Sequence, residues 1–457
     1  MQAGTRKLDD LTGDVCSQCP GGTIKTRTYD TSGNATQISK TDGVSTRGWT
    51  MTYDTYGRVL TVDGPRTDVS DVTTFEYHAC TTSTRCGQLK KVTNALGHVT
   101  ANINYNTFSL VSSVQDESRG AIEYQYNSGN LARQIGVRAS SGGSRRWTYF
   151  TYTDADQVET VTTPDGLVLT YTYDDAHYLT KVADSFGDRI EYSHDSMGNV
   201  SAENTYDPGG VLERSMDYVY DLNNCLSIAT AANAFNTSYL FDDVGNLETL
   251  TDASLAVTQN AYDSLNRLSQ TTDALLGLTT YGYDDHDNLT SVAAANNAVT
   301  TYEYGAFDDL TKETSPDRGT TTYTHDAAGN VLTKTDARGR VTTYSYDALN
   351  RVTQIELDNL DTIDFQYDAG YYLKGKLTRI TDPSGVTEWS YNSFGEVASK
   401  TQTIGSVVLT TSYGYDSAGR LKTVTLPSGK VATYTYSVNR ATGGERRFNN
   451  GTLRCYL

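Results

Sequence analysis

The chain has 457 residues, with 55 acidic against 37 basic side chains and a formal charge of −18, and it carries no basic block, which excludes a nucleic-acid partner whose phosphates need clustered Lys and Arg. No apolar run approaches the roughly 18 residues of a membrane span, and the opening MQAGTRKLDDLTGD has no apolar stretch of a secretory signal, so the residues present predict neither a span nor a leader. Tyr, at 34 residues, outnumbers Phe (10) and Trp (3) together, so a ring with a polar tip must supply much of the apolar surface.

In chain order, residues 1–28 hold only the latter half of a repeating unit, PGGTIKTRTYD running into Tyr29, without the cap that a free array end needs; the start is expected to be internal. From Tyr29 an anchor ring recurs at Tyr53, Tyr77, Tyr105, Tyr126, Tyr152, Tyr173, His194, Tyr220, Phe241, Tyr262, Tyr283, Tyr304, His325, Tyr346, Tyr367, Tyr391, Tyr415 and Tyr436. Eleven of the 18 intervals are 21 residues, and every interval from Tyr220 to Tyr367 has that length. The longer intervals are those expected of loop insertions between strands.

Each unit predicts two strands and two turns. A second aromatic stands two residues before many anchors, as in Tyr281/Tyr283, Tyr302/Tyr304 and Tyr344/Tyr346, which places both rings on one strand face. Asp most often follows the anchor, and the position four beyond it is Gly, Asn or Asp in 14 of 19 units, residues that tolerate positive φ in a tight hairpin turn. A β-rich stretch such as Val331 to Thr335 follows, then a second turn such as Asp336 to Gly339 and a strand from Arg340 to Tyr346. Helical spacing is not sustained anywhere in the array. After Tyr436 the pattern lapses into YSVNRATGG and an unrelated ERRFNNGTLRCYL.

The residues that carry chemistry elsewhere read here as structure. Asp382-Pro383-Ser384-Gly385 falls at the same phase as Thr163-Pro164-Asp165-Gly166, Ser315-Pro316-Asp317 and Leu426-Pro427-Ser428-Gly429, which makes it a second turn. His194 and His325 stand in for an anchor ring. His78, His98, His177 and His286 are scattered, with no Ser or Cys beside them in a nucleophile motif. Cys16-x-x-Cys19 with Cys80-x5-Cys86 is a loose match to a zinc site, and a local disulfide within the 28-residue interval from Tyr77 is preferred. The Asp-rich turn Asp284-Asp285-His286-Asp287 lacks the spacing of a calcium loop, and the Asn-x-Ser/Thr triplets arise from turns running into strands. No catalytic, cofactor-binding or metal residue is nominated, and neither an enzyme nor a cofactor is expected.

The unit YDxxGRLxxxxxxxGxxTxYxYD, present as YDSAGRLKTVTLPSGKVATYTY from Tyr415, resembles the YD repeat of bacterial Rhs proteins, toxin-complex shell subunits and teneurins, over residues 29 to 436. The resemblance implies an all-β fold, a spiralling array of hairpin units of about 21 residues that forms part of a hollow β-shell. It implies a shell segment enclosing a C-terminal polypeptide toxin, a role in toxin delivery or interbacterial competition, partners that are the toxin cargo or the remaining Rhs shell, and a secreted or cell-surface location. The family's closing segment and a toxin domain are not found in these residues. The expected organisation is an incomplete repeat at 1–28, the array at 29–436 and an aberrant tail at 437–457. Two other readings fit the repeat: a cell-surface carbohydrate- or wall-binding module with outward Tyr rings, and a β-propeller whose blades each take two units.

Overall fold

A computed structural model describes residues 24–80, 86–117, 120–140, 142–231, 235–370, 373–434 and 436. One regular unit shows how the sequence builds it. Strand β27 (Gly319–His325) ends on the anchor His325, the chain turns through Asp326 to Asn330, and β28 (Val331–Thr335) runs back beside it. A second turn, Asp336 to Arg340, leads into β29 (Val341–Tyr346), and the next anchor turn leads into β30 (Val352–Glu356). Both turns close in the same way: the Asp326 N–H donates to the Asn330 carbonyl and Gly329 to Asp326, as Asp336 does to Arg340 and Gly339 to Asp336. Gly329 and Gly339 sit at φ 88° and 78°, a region that a β-carbon disfavours, which is why Gly and Asn recur there.

Repetition of this unit gives 37 strands in one sheet, each paired antiparallel with the next from β1 (Ile24–Tyr29) to β37 (Val431–Thr433), and no helix among the described residues. The sheet stays open, since no pairing joins β1 to β37. A propeller, already disfavoured because adjacent units do not alternate as half-blades would, is ruled out: blades would interrupt the ladder, and the ladder runs unbroken from strand to strand. At each anchor from Tyr29 to Tyr415 the register slips, so that Ser345 faces Gln354 while Tyr346 faces Val352. Such a bulge increases local twist, and its repetition coils the whole ribbon.

The ribbon is one layer thick. Among the described residues no large side chain is fully buried, and the short list of buried apolar residues is Tyr105, Ala121, Ala139, Ile190 and Ala229. The two faces nevertheless differ. Along β21 (Val257–Tyr262) and β25 (Val299–Tyr304), exposed and half-buried residues alternate, and Tyr262, Tyr302 and Tyr304 lie on the half-buried face. Cys80 and Cys86 form the expected local disulfide, with Cα atoms 4.3 Å apart, while Cys16 and Cys19 lie outside the described residues.

Candidate functional site

The anchor tyrosines stitch each unit to the one before it. Tyr283, Tyr304 and Tyr346 donate their hydroxyls to the carbonyls of Leu268, Leu289 and Val331 at 2.8, 3.0 and 2.8 Å. In each case the acceptor is the register partner of the preceding anchor, Tyr262, Tyr283 and His325 respectively. His325 and Phe241 occupy the same bulged position without a hydroxyl. The polar tip of Tyr is therefore used within the sheet, which explains its excess over Phe. Burial pushes the Tyr304 and Tyr346 phenols above their ordinary pKa.

The residues after the anchor complete the stitch. In the turn after Tyr262, Asp263 accepts the Leu265 and Arg267 N–H groups at 2.9 and 3.0 Å and the Arg267 Nε–H at 2.7 Å. The Arg267 guanidinium then lies 4.7 Å over the ring of the next anchor, Tyr283. Arg351 over Tyr367 and Arg420 over Tyr436 repeat the arrangement, so the Arg five residues beyond the anchor binds its own turn and packs on the following unit.

A second set of contacts joins residues about 250 to 284 positions apart in the chain. The turn between β2 (Ala35–Thr41) and β3 (Thr46–Tyr53) meets the anchor turn between β25 and β26 (Leu310–Ser315): Lys40 pairs with Asp308 at 2.9 Å, Arg47 with Asp309, and Arg47 lies 4.4 Å over the Phe307 ring. Beyond β4 (Val59–Asp63), the buried Arg66 donates to the Asp347 carbonyl at 2.5 Å and the Asn350 side chain at 3.3 Å. The turn between β10 (Ala132–Arg138) and β11 (Arg145–Tyr152) meets that between β33 (Gly385–Tyr391) and β34 (Val397–Ile404). There Ser140 N–H donates to the Ser393 carbonyl at 2.7 Å, Arg146 pairs with Glu396 at 2.5 Å, and Arg146 stacks 3.8 Å over Phe394. Asp165, between β12 (Val158–Thr162) and β13 (Val168–Tyr173), pairs with Arg420, between β35 (Val407–Tyr415) and β36 (Leu421–Thr425). Burial raises the Asp165 carboxyl, but the Thr163 hydroxyl and Arg420 outweigh it and hold the group below its usual range.

Three of these contacts obey one rule. The second-turn edge of the early strands receives the anchor-turn edge of strands 23 further on, β2 to β25, β10 to β33 and β12 to β35, while Arg66 after β4 reaches one unit further, to the anchor turn after β29. The ribbon thus winds back on itself, and its laps are joined along an ionic and cation–π seam. Shallow clefts of about 570 and 620 Å³ lie on this seam, beside Arg146 and Phe394 and between Glu117 and Lys374. Sequence reasoning missed the seam residues; the one local trace was the Phe at the third position after the anchors Tyr304 and Tyr391.

The residues weighed for chemistry are placed as follows. Asp382 to Gly385 forms the two-residue turn between β32 (Leu377–Asp382) and β33. His194 stacks on Tyr178 at 5.0 Å, His286 contacts Asp308 at 2.7 Å, and His78 meets the Tyr105 ring edge at 5.7 Å. Among the described residues no three His, Cys, Asp or Glu side chains gather to hold a metal ion.

The RHS Repeat family pattern matches residues 152–189, 262–297, 283–321, 310–340, 325–359, 391–431 and 415–442, and six of these seven windows open on an anchor ring. Those windows carry RHS repeats. The crystal structure of TcdB2-TccC3 superposes with a TM-score of 0.70 at 13% identity, covering 91% of this chain and 27% of that one. The structure of TcdB2-TccC3 without its hypervariable C-terminal region gives 0.58 at 12%, covering 94% and 26%. The chain therefore spans about a quarter of the solved chains it matches, and at these identities the likeness is one of fold. No curated protein matches its sequence.

Proposed function

We propose that this chain is a wall segment of a shell that encloses a polypeptide cargo, in the manner the Rhs resemblance implies, with the toxin and any delivery between bacteria lying outside residues 1–457. The observation that carries the reading is the seam. A one-layer ribbon that laps itself every 23 strands bounds a space at least roughly 110 Å around and about 35 Å across, taking about 4.8 Å per strand. The aromatic face is the less exposed one along β21 and β25, as expected of the concave side of a curved ribbon, and in this reading it faces inward. In this reading residues 29–436 form the wall, and the partners are the cargo and further RHS ribbon in a secreted or surface-exposed particle. Against the carbohydrate-binding alternative speak the half-buried anchor rings, whose hydroxyls donate to backbone carbonyls and whose faces at Tyr283, Tyr367 and Tyr436 carry Arg267, Arg351 and Arg420.

The test appends a protease-sensitive segment after Leu457. Enclosure requires that trypsin spare the segment in the fusion under conditions that destroy it free in solution. Equal loss in both sinks the reading. A second readout places single cysteines on the two faces of β29, Thr342→Cys inward and Ser345→Cys outward. A bulky polymer-maleimide labels the outer position and is slowed at the inner one, whereas equal rates contradict an enclosed face.

A further inference from the structure

The turn between β14 (Leu179–Asp184) and β15 (Arg189–His194) gathers acidic side chains. Asp184 and Asp188 are each only 7% exposed. The Asp184 Oδ1 accepts the N–H groups of Phe186 and Asp188 at 2.9 and 3.0 Å, while its Oδ2 is buried without a hydrogen-bond partner. The next second turn, between β16 (Val200–Tyr206) and β17 (Leu212–Tyr220), lies against it: a β-carbon on Gly187 would stand 3.3 Å from Pro208. That packing brings Asp207 and Glu213 to the same rim. Burial, then the charges of Asp184, Glu213 and Asp207, raise the Asp188 carboxyl. The arginines of the same strands are committed elsewhere, Arg189 to Glu191 at 2.7 Å and Arg214 to Glu203 at 3.3 Å. Buried carboxylates grouped in this way are costly until a cation joins them.

The winding of the ribbon points to the source of that cation. Along the seam a second turn receives the anchor turn 23 strands on, and one step before this rim Asp165, after β12, is met by Arg420, after β35. The same spacing brings the turn after β14 to the anchor turn after β37, at Tyr436, whose hydroxyl donates to the Leu421 carbonyl as the other anchors do to theirs. The RHS Repeat pattern runs through that turn, to residue 442. Residues 437–457 lie outside the described residues; in sequence they hold four arginines, Arg440, Arg446, Arg447 and Arg454, against the single acid Glu445, in a chain whose net charge is −18. Arg440 stands four residues after its anchor, the place from which Asp308 crosses the seam to Lys40, with the signs reversed.

We propose that the basic tail 437–457 docks on this acidic rim and closes the next step of the seam, Arg440 against Asp184 and Asp188, and Arg446 and Arg447 against Asp207 and Glu213. The tail brings to the rim the cations that its own strands do not supply. The inference rests on the lap spacing and goes beyond the wall reading, since it holds whether or not the ribbon encloses a cargo.

Limited trypsin digestion of the full chain, read by intact mass, tests it, because the tail's arginines are themselves the cleavage sites. Cleavage after Arg440, Arg446 and Arg447 is slow in the parent relative to a synthetic peptide of residues 434–457. The variant Asp184→Asn/Asp188→Asn keeps the turn acceptors, removes both charges and speeds cleavage about tenfold or more. High salt acts in the same direction by screening. From the other side, Arg440→Gln/Arg446→Gln/Arg447→Gln quickens hydrogen exchange at 184–188 and 207–213 and leaves the turn at 252–256 unchanged. This second variant decides the matter if the paired Asn substitutions unfold their hairpin. A parent tail cut as fast as the free peptide, protection that survives the Asn variant, or exchange at the rim that ignores the arginines overturns the proposal. Enclosure alone would protect the tail in parent and Asn variant equally, so failure of the docking and failure of the wall reading are distinguishable.

Discussion

Tyr346 illustrates how much one position decides. Its ring lies on the half-buried face and its hydroxyl holds Val331 of the preceding unit at 2.8 Å. Tyr346→Phe keeps the ring and deletes only that bond, and is expected to cost about 1 kcal/mol by chemical denaturation. Tyr346→Ala also removes the ring contacts and should cost about 2–4 kcal/mol. If the two variants cost the same, the ring packs on nothing. Leu360 predicts the opposite sign: it is exposed and held at φ 67°, so Leu360→Gly relieves a left-handed β-carbon and should raise stability by up to about 1 kcal/mol. The anchors were legible because a ring every 21 residues is a local pattern. The turn leucines were not, since no rule of turn chemistry calls for Leu at positive φ.

The hairpin is fixed by its aspartates as much as by its rings. Asp195, Asp242 and Asp336 are held below the ordinary carboxylate range, first by the side-chain amide or guanidinium of Asn199, Asn246 and Arg340, then by backbone N–H groups of the same turns. Asp263 is lowered first by the Arg267 backbone N–H. A carboxyl whose folded pKa lies below its unfolded value stabilises the fold above the unfolded value, about 3.9 for Asp, and loses that contribution as pH falls through the folded one. With many such turns in series, the denaturation midpoint should stay level near neutrality and drop steeply below about pH 4. A midpoint that rises on acidification contradicts the capping role. The sequence carried this level well: Asp after the anchor and Gly or Asn four beyond it are the chemistry of the turn itself. Ser109 and His177, at φ 65° and 68°, escaped that pattern because only the surrounding repeat places them in register.

At the scale of the whole molecule, the decisive quantity is the number of strands per lap, and no local pattern encodes it. It is the sum of a small twist and coil at every bulge, so a ribbon with the same repeats and slightly less coil would bring different turns together. That is why Arg146 and Glu396, 250 residues apart, could not be paired from sequence, although each turn was placed correctly. Their contact is two-pronged, at 2.5 and 3.1 Å, and both side chains are largely covered. A double-mutant cycle of Arg146→Ala and Glu396→Ala should give a coupling of about 1–2 kcal/mol. The exposed Arg340–Asp336 pair within one turn should show no measurable coupling. The stronger prediction concerns where the loss is felt. Stability in a repeat array is the sum of units and their neighbour contacts, so opening the seam removes a neighbour from β10–β11 and β33–β34 and from no other hairpin nearby in sequence. Hydrogen exchange of Arg146→Ala should therefore quicken in two segments, around 132–152 and 385–404, and remain unchanged in 247–283. Acceleration confined to 132–152 would mean that the two edges touch without supporting one another, and the lapped ribbon would then be held by its hairpins alone.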